Sequence, residues 1–512
     1  RNNMNLAYAL ERNAQIKPDF VAVVFKNNRF TYRSINEETN RYANMLHEKG
    51  IKQGDRVCIW LPNGMEFIYA FFATLKIGAL AVPMNHQFKK TEARYILKNS
   101  GSRFLFTDEV KLSTVTELYD ELSDLEIVGT VGEKSSSHQS IVPISQLLED
   151  TSDRWIARDL SPDHGACILY TSGTTGNPKG VELSHYNLNT NAEFYADCIQ
   201  LTDKHYGCIV TPLSHLLVLM AGLTLIFLKG AKFYLFERFS TKKVAETIHT
   251  EKINFFIGVP AMYYMFLTLP EIEQYDMSSL DICITSGAHM PIEVRSKFEE
   301  RFQTKTLQAY GQTESSPVIS VDYLSKERKF DSVGYPLPHI EVRVVDEFGQ
   351  TLPPGEEGEI IARGHCVMKG YWNNPRETRK TVKEGWLYTG DIGKLDEDGY
   401  VYFLDRKKEM IISGGFNIYP KELENVLYQH PGVLEASVIG VPDERLGEIP
   451  KAYIALKEGY SVTEDEIKTF ALERLANYKK IREVEFIKEI PKTATGKLMK
   501  RKLVEMEKEK QS

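Results

Sequence analysis

The stretch Tyr170-Thr171-Ser172-Gly173-Thr174-Thr175-Gly176-Asn177-Pro178-Lys179-Gly180 packs four Ser or Thr hydroxyls, three glycines and one lysine into eleven residues. That composition suits a polyphosphate. Glycines let backbone N–H groups turn inward at close range, hydroxyls add short donors, and lysine supplies a mobile point charge. No Gly-Lys-Ser/Thr closes the run, so it is not the common P-loop. Upstream, Gly165-Ala166-Cys167-Ile168-Leu169-Tyr170 reads as a buried strand; downstream, Val181-Glu182-Leu183 alternates like a second. The loop is therefore expected between two strands, holding phosphate by backbone and side chains more than by a helix dipole. A flexible polar linker is the plain alternative, disfavoured by the apolar flanks and the embedded Pro178-Lys179-Gly180.

At 512 residues the chain exceeds what one core usually supports, and two or three domains are expected. Its 42% hydrophobic and 26% charged composition is ordinary for a soluble globular protein, and a net charge of −7 argues against a nucleic-acid partner. Six cysteines, at 58, 167, 198, 208, 283 and 366, form no CxxC pair. They indicate free thiols in a reducing compartment, not a zinc site or a disulfide framework. The opening Arg1-Asn2-Asn3-Met4 shows no signal peptide. The longest apolar run, Leu216 to Leu228, is thirteen residues, short of the roughly 20 that a bilayer crossing needs. It reads as a core helix or a substrate wall. The expectation is a cytoplasmic protein with no transmembrane segment.

The first third alternates strand-like and helix-like segments: Phe20 to Phe25 as a strand, Tyr32 to Glu48 as an amphipathic helix, Asp55 to Pro62 as a strand, Met65 to Ile77 as a helix and Ala79 to Pro83 as a strand. This succession implies α/β layers. Residues 109–160 are polar and read as loop-rich. Ile253 to Pro260 and Asp281 to Ala288 read as strands, the second running into a turn. In Tyr310-Gly311-Gln312-Thr313-Glu314, a tyrosine ring offers a flat face for a purine, Gly311 permits a tight turn, Thr313 brings a hydroxyl and Glu314 is a hard oxygen ligand for Mg²⁺. Asp391, after a Gly turn in Gly385-Trp386-Leu387-Tyr388-Thr389-Gly390-Asp391, can accept from both hydroxyls of a ribose; an ordinary turn-capping aspartate is the alternative. Val342 to Val345, Gly358 to Gly364 and Met368 to Trp372 read as a smaller β-rich subdomain. Gly399 to Leu404 reads as a strand, followed by the charge cluster Asp405-Arg406-Lys407-Lys408-Glu409. Pro420 to Tyr428 is expected as a helix, with proline in its first turn and Glu422 and Glu424 early.

Tyr170 to Val181 resembles the signature loop of the adenylate-forming superfamily, which includes acyl-CoA synthetases, luciferases and the adenylation domains of peptide synthetases. Tyr310 to Glu314, Asp391, Asp405 to Lys408 and Pro491-Lys492-Thr493-Ala494-Thr495-Gly496-Lys497 match further motifs in the family's order. The resemblance implies an ATP site formed by Thr171, Ser172, Gly173, Thr174, Thr175, Gly176, Lys179, Gly287, Ala288, Tyr310, Gly311, Thr313, Glu314, Asp391, Arg406 and Lys497. Thr171, Glu314 and Lys497, together with His215, are implied to serve the reaction, and Glu314 to hold Mg²⁺. Arg406 is implied to contact ribose or phosphate. His215, in Thr211-Pro212-Leu213-Ser214-His215, matches a histidine bordering the acyl pocket; a core histidine is the alternative from the residues alone. Ser214 stands where relatives carry Phe, and Thr285, Ser286 and His289 depart from the usual Ser-Gly-Gly-Ala-Pro, so only Gly287 and Ala288 inherit that segment's role. No acidic residue lies between Thr211 and Leu228, which disfavours an amino-acid substrate. Ser315-Ser316-Pro317-Val318 resembles the fatty-acid branch.

The resemblance further implies a body over residues 1–404 and a small, mobile α+β lid over 405–512, with a hinge at 405–408 centred on Lys408. In the implied chemistry a carboxylate attacks the α-phosphate of Mg·ATP, giving acyl-AMP and pyrophosphate. The lid then turns, withdraws Lys497 and presents Gly414-Gly415 as the wall of a tunnel for CoA. The acid expected is a medium- or long-chain fatty acid. An acyl carrier protein in place of CoA, an aryl acid, a non-catalytic nucleotide-binding protein and a homodimer stay open.

Overall fold

The β-branched and aromatic runs of the first 340 residues form two large sheets. The computed structural model describes residues 4–171, 177–287, 290–492 and 497–511, so Ser172, Gly173, Thr174, Thr175, Gly176 and Ala288 lie outside the described residues. One sheet has eight strands, in the order Gly370–Tyr371, Lys179–Ser184, Gly165–Thr171, Leu80–Pro83, Arg56–Ile59, Phe104–Asp108, Ile127–Val131, Ile141–Pro143. It is parallel from Gly165–Thr171 to Ile141–Pro143. The other has nine strands and is parallel from Val21–Phe25 across to Lys305–Gly311, with antiparallel strands at both edges. One continuous apolar core joins residues of both sheets to the helices Tyr32–Glu48, Met65–Lys76 and His185–Ile199. Met65–Lys76 is apolar almost all round, as a helix buried on most sides must be.

The expected strand–loop–strand at the glycine-rich run is present. Gly165–Thr171 and Lys179–Ser184 pair antiparallel, with Thr171 opposite Lys179. The helices over Tyr32–Glu48 and Pro420–Tyr428 match their expected bounds. Three readings need correction. Residues 109–160 hold a helix at Leu112–Tyr119, strands at Ile127–Val131 and Ile141–Pro143, and a short helix at Ile144–Leu147. Gly370–Tyr371 does not join the β-rich subdomain; it pairs with Lys179–Ser184 in the eight-stranded sheet. The strand after Gly399 runs through Asp405 to Arg406, paired along Trp386–Leu395. That strand completes an antiparallel five-stranded sheet with Glu341–Val345, Gly358–Arg363, Trp386–Leu395 and Val382–Lys383.

After the short turn Lys407–Glu409 the chain builds a separate C-terminal domain. Its sheet comprises Phe416–Ile418, Ile411–Ser413, Gly447–Leu456, Val433–Asp443 and Glu483–Phe486, and it has a core of its own. The run after His215 is helical and buried, with a wider π turn over Val218–Thr224, where the Thr224 hydroxyl donates to the Leu219 carbonyl at 2.8 Å. Among the described residues, no helix is long and apolar enough to cross a membrane.

The strand Lys305–Gly311, which leads into the site, is anchored by a buried ion pair. Arg295 Nη2 donates to Asp322 Oδ2 at 2.6 Å and to the Thr306 carbonyl, and the same Asp322 oxygen accepts Gln308 N–H at 2.8 Å. Removing one partner strands a charge without water. Asp322→Ala is expected to cost about 3–5 kcal/mol of stability, read by urea denaturation; a loss below about 1 kcal/mol would contradict this anchoring.

Candidate functional site

The strand Lys305–Gly311 leaves its sheet at a position only glycine can occupy, since a Cβ on Gly311 would lie 1.7 Å from the Pro317 carbonyl oxygen. The turn Thr313–Ser315 follows, and the Gln312 amide donates to the Thr389 carbonyl at 3.1 Å, tying the turn to the five-stranded sheet. This join places Tyr310 against Asp391. The Tyr310 hydroxyl donates to Asp391 Oδ2 at 2.6 Å, and Phe403 lies beside the ring at 5.9 Å between centroids. Arg406 is the cross-strand neighbour of Asp391, and its Nε stands 3.0 Å from Oδ1, close enough for an ion pair but without hydrogen-bond alignment.

Burial sets the electrostatics. It raises the Asp391 carboxyl above its ordinary range, while the Arg406 charge and the Tyr310 hydroxyl oppose the rise. Glu314 is 9% exposed and its carboxyl is likewise raised by burial, opposed by Arg406 and more weakly by Lys179. Lys497 reaches this place from the C-terminal domain. Its ammonium is lowered by burial and by the charges of Arg406 and Lys421, and raised by Asp391. Gly287, at φ +83°, makes room for it, because a Cβ there would sit 3.2 Å from Lys497 Cε. His215 opens the helical run, and burial, helped by the Lys497 charge, pushes its imidazole down to about 4. The ring is therefore neutral at pH 7.

Ser286, Gly287, Tyr310, Asp391, Arg406 and Lys497 line one cleft of about 1180 Å³ between the body and the C-terminal domain. Thr171 and Lys179 flank the glycine-rich run, and the Thr171 hydroxyl donates to the Lys179 carbonyl at 3.4 Å. The Lys179 ammonium lies 3.3 Å from Glu377 Oε2 and 5.1 Å over the Tyr371 ring. Glu314 and Thr313 share one turn. Gly414 and Gly415 are not brought into the cleft. They form the tip of the hairpin Ile411–Ser413/Phe416–Ile418 at φ +56° and +83°. Lys408 sits in the turn Lys407–Glu409, its ammonium lowered by burial and by Arg406. Among the described residues, no three His, Cys, Asp or Glu side chains gather to hold a metal. A hard cation at Glu314 would take its other ligands from a bound phosphate and water, a common arrangement for Mg²⁺.

Sequence reasoning missed the Tyr310–Asp391 bond, the Phe403 ring and the Glu377 partner of Lys179. Tyr310 and Asp391 are 81 residues apart, and no local pattern marks such a pair. The alternation of Tyr402 and Phe403 along a strand was the one available signal for the ring.

The chain is similar to known proteins over nearly its whole length. The AMP-binding enzyme family matches residues 10–372, and the AMP-binding enzyme C-terminal domain matches residues 422–497. A long-chain-fatty-acid–CoA ligase of Bacillus subtilis is 34% identical, over 99% of this chain and 95% of its own. A medium-chain fatty-acid–CoA ligase of Escherichia coli is 33% identical, over 97% of this chain and 89% of its own. The crystal structure of an anthranilate CoA ligase in complex with anthranoyl-AMP superposes with a TM-score of 0.94 at 29% identity, covering 100% of this chain and 98% of that one.

Because Arg406 holds down the carboxyls of both Asp391 and Glu314, Arg406→Gln is expected to let both rise. The acid limb of AMP binding, measured by calorimetry across pH, should then move to higher pH. An unmoved limb would show that these carboxylates do not feel Arg406.

Proposed function

The chain belongs to the AMP-binding enzyme family, and we propose that within it this enzyme activates a medium- or long-chain fatty acid for transfer to CoA. The ligase reaction itself is that of the acid–CoA ligases it matches from end to end. The observation that carries the reading is Lys497, held by the C-terminal domain in one cleft with Gly287, Tyr310, Asp391 and Arg406. A nucleotide bound there would lay its base on the Tyr310 ring and its ribose against Asp391, with its α-phosphate within reach of Lys497.

In the first half-reaction an oxygen of the substrate carboxylate bonds to the α-phosphorus, and the bond from that phosphorus to the bridging oxygen of pyrophosphate breaks. The carboxylate is already charged at pH 7, so no general base is needed. Lys497 supplies a flexible point charge that can touch carboxylate and α-phosphate oxygens together. Thr171, Lys179 and the loop between them receive the outer phosphates. Mg²⁺, held by Glu314, would neutralise phosphate charge. Neutral His215 borders the acyl group without adding a second cation. In the second half-reaction the CoA sulfur bonds to the acyl carbon, AMP leaves with the anhydride oxygen, and the thiol proton passes to solvent. A turn about Lys408 would withdraw Lys497 and bring Gly414-Gly415 to the cleft, a hinge transition of familiar type.

The run Leu216 to Phe227 is buried in the body's core and carries no acid to hold an ammonium, which supports a substrate without one. An aryl acid is the second reading, because the structure superposing at 0.94 holds anthranoyl-AMP. Pyrophosphate release across octanoate, palmitate, benzoate and malonate, each with and without CoA, tests the assignment. CoA-dependent turnover is expected with octanoate or palmitate. Turnover with benzoate alone would favour the aryl reading, and exchange without CoA turnover would point to an acyl carrier protein.

Two variants test the division of labour. Lys497→Ala should slow pyrophosphate release about 10²–10³-fold, the scale of a lost charge-stabilising donor, while thioester formation from supplied acyl-AMP stays within a few-fold. Adenylate formation at the normal rate would remove Lys497 from this role. Lys408→Pro should spare the first half-reaction and block the second; equal loss of both would contradict a hinge there.

A further inference from the structure

The helix Pro420–Tyr428 packs in the core of the C-terminal domain, yet its own cap residue, Tyr419, gives its N-terminus no side-chain hydrogen bond. The oxygen that fills that place comes from outside the domain. Asp405 Oδ2 accepts the backbone N–H of Lys421 at 2.8 Å, while its Oδ1 accepts Arg406 N–H at 2.7 Å. Asp405 is wholly buried and stands opposite Ile392 on the five-stranded sheet of the body. A body residue therefore caps a helix of the C-terminal domain, across the turn that joins the two.

The same helix holds the segment that follows Lys497. Lys500, three residues beyond it, places its ammonium 2.8 Å from Glu424 Oε1 on that helix and 3.7 Å from Glu409 Oε2 in the turn. Glu424 Oε1 also accepts Val438 N–H at 3.0 Å, so the helix, the domain's sheet and the terminal segment share one anchor. Fixing the helix N-terminus against the body thus fixes where Lys497 points. We propose that Asp405 is a positioning residue for the first half-reaction, capping the helix Pro420–Tyr428 from the body and so holding the C-terminal domain where Lys497 enters the cleft. The contact is confined to this orientation, because a turn about Lys408 carries Lys421 away while Asp405 stays with its sheet. Burial and the neighbouring Glu424 push the Asp405 carboxyl up to about 6, and only Lys500 and the Lys421 N–H work strongly against that. A cap that a turning domain can give up is what a reversible step requires.

This inference rests on the two-position reading of the C-terminal domain, and the test separates the two. Asp405→Ala removes the cap, whereas Asp405→Asn keeps a side-chain oxygen of nearly equal capping strength. Each variant is followed in three ways: pyrophosphate release without CoA, thioester formation from supplied acyl-AMP, and the distance between spin labels at Glu347→Cys and Glu473→Cys. All six native cysteines are buried, so the labels go to the introduced ones. Asp405→Ala should slow pyrophosphate release about fivefold, the scale of a lost helix cap, and leave thioester formation within twofold. It should also shift the nucleotide-free label distances away from those of this orientation, while Asp405→Asn behaves as wild type. Equal slowing of both half-reactions, unchanged distances, or an Asp405→Asn variant as impaired as Asp405→Ala would overturn the proposal. A single distance in wild type, whether free or loaded with acyl-AMP and CoA, would overturn the two-position reading and this proposal with it.

Discussion

A carboxylate without water must find its compensation in the protein, and Asp391 does so from two directions. The Tyr310 hydroxyl arrives from the nine-stranded sheet, and the Arg406 guanidinium comes from the next strand of its own sheet. Those two partners decide much of the local architecture. Tyr310 must leave its strand at Gly311, where no side chain fits. Arg406 must be the last residue of its strand, one step before the turn into the C-terminal domain. The site's charge balance and the attachment point of the C-terminal domain are thus adjacent for one reason.

The charges in the cleft come from both the body and the C-terminal domain. Arg406 and Lys421 repel the Lys497 ammonium, which burial and both neighbours lower while Asp391 works against them; Arg406 is itself supported by Asp391, Glu314 and Glu409. Of the acids nearby, Asp391 is engaged by Tyr310 and Arg406, and Glu424 is held by Lys500. An anionic ligand relieves that repulsion, so the orientation with Lys497 inside is favoured most when phosphate and carboxylate are present. Charge transfer out of the cleft as pyrophosphate leaves weakens the same preference. In the two-position reading proposed above, domain position and chemical step are coupled by charge, with no need for a long-range pathway.

Much of this was legible in the sequence wherever the signal was local. Hydroxyls and glycines between two apolar runs gave the paired strands around the loop. Proline at the first turn with early glutamates gave the helix at Pro420–Tyr428. The spacing of Tyr310, Gly311 and Glu314 gave a turn carrying an acid. Local reading failed where long-range pairing decides. Gly370–Tyr371 is two residues of strand, too short for any periodicity, and joins the larger sheet because Trp372 N–H reaches the Gly180 carbonyl at 2.6 Å. The elements within 109–160 were hidden by the polar residues between their buried ones, although Val115, Leu118, Leu122, Leu125 and Val128 recur every three or four positions. The charge run from Asp405 read as a joint between domains, but nothing local showed that its first residue is buried, because the helix N-terminus that lies against it is 16 residues further on.

The most direct test of the account is a rapid-quench single turnover with Mg·ATP and labelled octanoate or palmitate in the absence of CoA. The account predicts about one equivalent of acyl-AMP per enzyme chain, which a chase of CoA converts to acyl-CoA with release of AMP. Acyl-CoA formation with no acyl-AMP at any time, or acyl-AMP that CoA cannot discharge, would contradict it.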